Sequence, residues 1–374
     1  LAHQLPIQAI RFDPGYYYDL DGSVEEFAAD QVDLWASKGV NTVYYLLHSN
    51  DGGARYRTYY PYNSMEDFGR QDMLGAIITA AHTKNIQVIG WLFDRQHKQA
   101  WMAHPNWRVK DAAGNDYKER NEDYFLSPFN TAAMRWYYGM IRDLLKNYPE
   151  LDGIDMAESL LNWWGNKADF NPAAVSLFQQ TFPGASLASN QWLQFRADGL
   201  TRHLTRVVAM AHRENRLAHI TTIMTANASG QLISNADQMR YTGFDLDSIL
   251  NSRQKPDYLN VELIWQQWND EHSSGVFDPT WTASATRQAI ANVSDRCPII
   301  VHVEASTFGN VTPAPGDISA ALAAAKSAGV EDVDCYDTAL LDEMGAWNEI
   351  AANYNPTSKV HAMIIASNLD LQAH

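Results

Sequence analysis

Cysteine is almost missing from this chain, with Cys297 and Cys335 the only two in 374 residues. Two such positions give neither a disulfide framework nor a thiolate metal centre, and both thiols are expected free and buried in neighbouring strands. No run of about 18 apolar residues occurs, so no membrane span is expected. Basic residues are scarce: 28 Lys and Arg stand against 44 Asp and Glu, for a formal charge of −16. A field of that sign argues against nucleic acid and anionic lipid as partners. No Gly-rich phosphate loop follows any apparent strand, which argues against a doubly wound nucleotide-binding sheet. A serine hydrolase elbow, Gly-x-Ser-x-Gly, is also lacking. No His-x-x-His or Asp-x-His pair stands where a catalytic metal would need it, and no cofactor is expected. No leader peptide is visible, and with Leu1 in place of Met a processed N-terminus is expected.

What the chain has is short apolar stretches of β-rich composition, alternating with helical patterns. Strands are expected over 8–13, 41–47, 87–93, 151–158, 219–225, 257–262, 298–304 and 332–337. Helices are expected after Ser23, and over 72–82, 131–146, 172–182, 190–213, 246–250, 285–293, 318–328 and 341–354. Eight strands alternating with helices predict a (β/α)8 TIM barrel, class α/β, taking up residues 1–374 as one domain. Continuous apolar strands fit a parallel sheet covered on both faces.

In such a barrel the C-terminal strand ends carry function. Here those ends read Asp13, His48, Asp94, Asp155 with Glu158, Thr225, Glu262, Glu304 and Asp337, so six of eight bring a carboxylate. Packing gives no reason to converge so many acids, because their repulsion costs energy. Any one of them reads equally well as a solvated or capping acid; together they predict a site. A lone histidine in mid-strand, His302, reads as core. Aromatics gather in the following loops: Tyr16 to Tyr18, Tyr56 to Tyr62, Trp163 with Trp164, and Trp265 with Trp268. Flat amphipathic faces next to carboxylic acids suit a sugar, since the rings stack while an acid protonates the glycosidic oxygen. For any single Trp, core packing is the competing reading. Substrate contacts are therefore expected from Asp13, Tyr17, His48, Asp94, Trp163, Trp164, Trp265, Trp268 and Asp337.

Two resemblances narrow the acids. Glu158 ends strand four and Glu304 ends strand seven, the positions that glycoside hydrolase clan A uses. That likeness implies Glu158 as acid/base and Glu304 as nucleophile, although Ala157 stands where the clan usually has Asn. Glu262 is the substitute for Glu304, and Asp155 is expected to raise the Glu158 pKa with help from apolar contacts. The chitinase pattern Asp-x-x-Asp-x-Asp-x-Glu is not met. The segment 72–158 more closely resembles the barrel hydrolases of the PgaB C-terminal domain and the related family-10-like lipoproteins. The residues that carry it are Ala80-Ala81-His82 before a Val-Ile-Gly-Trp strand, His104-Pro105-Asn106-Trp107-Arg108, Leu126-Ser127-Pro128-Phe129-Asn130, and Asp152-Gly153-Ile154. In that family an acidic pair follows Asp-Gly-Ile; Glu158 falls on its first member and Ser159 on the second. The resemblance implies a periplasmic or secreted hydrolase of a bacterial exopolysaccharide, often an amino sugar polymer, with polysaccharide or oligosaccharide as its partner. A non-catalytic carbohydrate-binding barrel and a metal-dependent sugar deacetylase are the alternatives.

Overall fold

The computed structural model describes residues 5–17, 22–50, 53–65, 71–120 and 123–354. Eight parallel strands form a closed barrel: β1 Gln8–Phe12, β2 Thr42–Leu46, β3 Gln87–Phe93, β4 Gly153–Ala157, β5 Leu217–Ile223, β6 Tyr258–Glu262, β7 Ile299–Glu304 and β8 Val333–Tyr336. Each lies beside its neighbour in sequence. The ring closes where Gln8, Ala9 and Ile10 pair with Val333, Asp334 and Cys335. The main outer helices are α1 Val24–Ser37, α2 Met73–Thr83, α3 Thr131–Asn147, α4 Asn190–Arg213, α5 Asn235–Thr242, α6 Trp281–Val293, α7 Asp317–Ser327 and α8 Trp347–Asn353.

Local chemistry explains the joints. The Ser23 hydroxyl accepts from the Glu26 amide at 3.1 Å, and Glu25 and Glu26 sit in the first turn of α1, where the helix dipole favours acids. Asn130 caps α3 by accepting from the amides of Ala132 and Ala133, both at 3.1 Å. Asp152 ties β4 to its neighbours, accepting from the Val88 amide at 2.8 Å and meeting His82 Nε2 at 2.9 Å. At Gly153 a Cβ would stand 2.8 Å from the Leu217 carbonyl oxygen, so only glycine lets β4 and β5 approach this closely.

Alternation along the strands separates two cores. Outward residues such as Ile10, Phe12, Val43, Tyr45, Val88, Ile154 and Met156 pack under the helices. Inward residues begin with an apolar layer that includes Ala9, Tyr44, Ile89, Trp91 and Ile300. Above it the same inward register brings Arg11, Asp155, Thr221, Asn260, His302 and Asp334 into the barrel, all buried.

Three helices go beyond the sequence reading: Lys98–Ala103, α5 and Trp265–His272. The last helix is two, Thr338–Met344 and α8, separated by Gly345 at φ 64°. Both cysteines are free and buried; Cys335 lies in β8, but Cys297 precedes β7. Among the described residues no helix is long and apolar enough to cross a membrane. Tyr18 lies outside the described residues.

Candidate active site

Three of the four acids chosen as catalytic meet in one place. Glu158, Glu262 and Glu304 line a cavity of about 220 Å³ at the C-terminal end of the barrel, walled by Trp91, Phe93, Phe308 and Tyr336. Each reaches it differently. Glu262 and Glu304 are the inward-facing last residues of β6 and β7. Glu158 follows β4 by one residue, and strand alternation would turn it outward. Instead its backbone adopts φ 51°, the left-handed region that non-glycine residues avoid, and the side chain swings into the mouth. Ser159, in the adjoining position, is buried and donates to the Met156 carbonyl at 3.1 Å.

The electrostatics separate the three. Burial is the main cause that pushes the Glu158 carboxyl up to about 8, with Glu262 adding to it and Arg120 opposing. Gln96 Nε2 donates to Glu158 at 3.4 Å. The source of this shift differs from expectation, because Asp155 faces away into the barrel. Asp155 accepts from Thr221 at 2.7 Å, lies 3.3 Å from Arg11 and lines no part of the cavity. Glu262 is raised to about 6 by burial, against the pull of His302 and Arg11. Its Oε2 is buried with no hydrogen-bond partner among the described residues.

Glu304 is the best-bonded of the three. It accepts from Ser306 at 2.5 Å and from His302 Nε2 at 3.1 Å, while Gln266 donates to its carbonyl at 2.5 Å. The other ring nitrogen of His302 meets Asp334 at 2.9 Å. An imidazole between two carboxylates can satisfy both only with a proton on each nitrogen. Burial opposes that charge, but the bonds to Asp334 and Glu304 prevail and raise His302 to about 9. Asp334 is held below the usual carboxylate range, against burial, by Arg11 and His302. Arg11, Asp334 and His302 thus form a charged floor under Glu304. Sequence reasoning set His302 aside as core; its spacing of two from Glu304 was the signal that both share a face.

A second hollow of about 790 Å³ adjoins the first, sharing Arg120, Ile223 and Gln267 with it. Trp163, Trp164 and Trp268 line this cleft, as does Tyr241. Trp164 is exposed and stacks on Tyr241 at 4.3 Å between ring centroids. Trp163 is anchored by Asp123, which accepts from Nε1 at 2.7 Å, and Arg120 covers its face at 3.8 Å.

The remaining candidates line neither hollow. Asp13 caps the turn Pro14–Tyr16 and pairs with Arg55. Tyr17 stacks on Phe12 and donates to Asp342 at 3.3 Å. His48 is buried edge-on to His97, at 5.3 Å between ring centroids. Asp94 is enclosed by Arg95 at 2.9 Å, His203 at 2.8 Å and Tyr137 at 3.4 Å. Asp337 caps Thr338–Met344, and Trp265 is buried on a helix, not in a loop. Among the described residues no group of three or more His, Cys, Asp or Glu is placed to hold a metal ion.

A carboxyl protonated near neutral pH, a second carboxylate held by an imidazolium, and an aromatic cleft beside them are the parts that glycosidic cleavage requires. No curated protein matches the chain in sequence. Among solved structures it is similar to the PgaB (BpsB) glycoside hydrolase domain from Bordetella bronchiseptica, at 17% identity and TM-score 0.68, over 92% of this chain and 98% of that one. It is also similar to α-L-fucosidase isoenzyme 2 from Paenibacillus thiaminolyticus, at 14% identity and TM-score 0.62, over 96% of this chain and 50% of that one. A β-galactosidase from the psychrophilic Marinomonas ef1 aligns at 12% identity and TM-score 0.60, over 88% of this chain and 53% of that one. At such identities the likeness shows the fold, a (β/α)8 barrel shared with glycosidases. The family model described as glycosyl hydrolase-like 10 matches residues 18–216, a little over half of the sequence, and the chain belongs to that family.

Proposed function

We propose that this barrel hydrolyses glycosidic bonds in a bacterial exopolysaccharide, outside the cytoplasm, with Glu158 as general acid. The observation that carries the reading is a carboxyl raised to about 8 in the same small cavity as Glu304. Glu158 would deliver its proton to the leaving oxygen as the bond breaks. Glu304, with its position fixed by His302 and Ser306, would attack the anomeric carbon or activate water there. Glu262 lines the cavity and has an oxygen without a partner among the described residues, which suits a sugar hydroxyl, and its charge helps to keep Glu158 protonated. Of the tryptophans lining the cleft, exposed Trp164 offers a face to an adjoining ring, a stacked ring contributing on the order of 1 kcal/mol.

The upper limb of the pH profile follows from the acid. Glu158 works only while protonated, so kcat/KM is expected to hold to about pH 8 and then fall about tenfold per pH unit. A profile flat to pH 10 would remove Glu158 from the role. The substrate class is tested by product release from a panel of bacterial exopolysaccharides, with amino sugar polymers presented before and after de-N-acetylation. Oligosaccharides released by the wild type and not by Glu304→Gln are the expected result. Binding to a polymer with no cleavage by either protein would favour a carbohydrate-binding barrel instead.

A further inference from the structure

Away from the mouth, the groove between α3 and α4 collects positive charge on a chain that carries little of it. Arg135, Arg142, Arg202 and Arg206 line a hollow of about 440 Å³ there, together with Tyr138 and His203. All four guanidinium side chains are on exposed residues. Residues 135 and 142 lie two turns apart on α3, and 202 and 206 lie one turn apart on α4, so each helix presents a pair to the same hollow.

Elsewhere only some of the described arginines pair with a carboxylate. Arg11, Arg95, Arg108 and Arg296 each contact a carboxylate within 2.9 Å. In the groove, no carboxylate of the described residues pairs with any of the four. The acids nearest in sequence are occupied, Asp143 by the Thr58 hydroxyl at 3.0 Å and Asp198 by Gln194 at 2.9 Å. Four like charges around one hollow repel one another. The groove is also built. Arg206 lies over the Tyr138 ring at 4.5 Å, and the Tyr138 hydroxyl meets His203 Nδ1 at 3.2 Å, while His203 is buried and anchored on Asp94 at 2.8 Å. No lining residue is shared with either hollow at the barrel mouth.

A guanidinium is a planar fork that matches two oxygens of one oxyanion, and it keeps its charge at every physiological pH. Two such pairs facing one hollow suit a ligand with more than one negative charge. We propose that the α3/α4 groove is a second binding site, for a phosphate-type oxyanion, separate from the sugar-cleaving mouth. The same chemistry is offered by a soluble phosphorylated molecule and by the headgroups of an anionic lipid surface.

Inorganic pyrophosphate titrated calorimetrically, and co-sedimentation with vesicles of equal parts phosphatidylglycerol and phosphatidylcholine, separate these sources. Binding to the wild type is expected to weaken as salt rises. Replacing Arg202→Gln and Arg206→Gln together is expected to lower affinity at least about tenfold, with the corresponding Lys pair in between because charge is kept and the fork lost. Both positions are exposed, so folding should persist; if it does not, Arg135→Gln with Arg142→Gln makes the same test from α3. Glu158→Gln should bind like the wild type. Pyrophosphate binding alone identifies a soluble ligand, and vesicle binding lost in the double variant identifies a headgroup. Neither probe binding, or both variants binding like the wild type, overturns the site.

Discussion

Replacing Glu158 by Gln is expected to cut turnover by about a thousandfold or more while raising the melting temperature. The first effect removes the proton that the leaving group needs. The second comes from linkage. In the fold Glu158 titrates at about 8, against about 4.5 for an ordinary glutamate. Between those values the folded chain holds a proton that the unfolded chain releases, so stability falls as pH rises through the window. At pH 7 the cost is at most about 3 kcal/mol, and for a chain of this size its removal is worth roughly 3–6 °C in Tm. Below pH 4 both states keep the proton and the advantage should vanish.

Thermal unfolding at pH 4 and pH 7.5, beside single-turnover kinetics, checks both halves. The combination discriminates because an ordinary core substitution that lowers activity also lowers stability. A Gln variant that is inactive and less stable at both pH values would mean that Glu158 is a structural residue. The left-handed backbone at residue 158 adds to the case, since strain of this kind persists where the side chain's position matters for chemistry.

The barrel was legible in the sequence because its signal is repeated eight times, and each strand is short, apolar and bounded by polar turns. Which strand-end acids face the mouth was not legible, for a reason that alternation makes plain. In β3 the inward residues are Ile89, Trp91 and Phe93, so Asp94 points outward and is taken by Arg95 and His203. In β8 Asp334 and Tyr336 face in, and Asp337 becomes a helix cap. Parity counted along each strand would have demoted both. The same count would have wrongly demoted Glu158, since Asp155 and Ala157 are the inward residues of β4; only its backbone conformation brings it back. Parity would also have promoted His302, two residues from Glu304, and Arg11, which sits among apolar neighbours. The resemblance motifs are largely scaffold. Asn130 caps α3, Asp152 joins two strands, and His104 stacks on Trp107 at 3.7 Å, which explains how they can mark a fold without containing its chemistry.

Arg11 is where the largest loss of stability is expected. Its guanidinium lies in the barrel interior, 2.8 Å from Asp334 and 3.3 Å from Asp155, and donates to Thr221 at 2.9 Å. It also sits over the rings of Tyr44 and Trp91, at 4.7 and 5.0 Å. Burial pushes Asp155 up and works against the charge of Asp334, and Arg11 is the foremost opposing influence on both. Arg11→Met would fill a similar volume yet leave Asp155 without a cation and Asp334 with His302 alone, a situation that costs about 3–5 kcal/mol. The pH dependence follows from Asp334, whose depressed pKa supports the fold above the ordinary aspartate range and ceases to do so as pH falls. The deficit of Arg11→Met should therefore be greatest at neutral pH and shrink toward pH 4, where the abandoned acids take up protons. Adding Asp155→Asn should recover part of the neutral-pH loss, because the carboxylate left without a cation is then gone. Denaturant titrations of both variants at pH 4.5 and 7 measure this directly. A loss under about 1 kcal/mol at pH 7, or no recovery on adding Asp155→Asn, would mean that the floor beneath Glu304 is held by packing and not by charge.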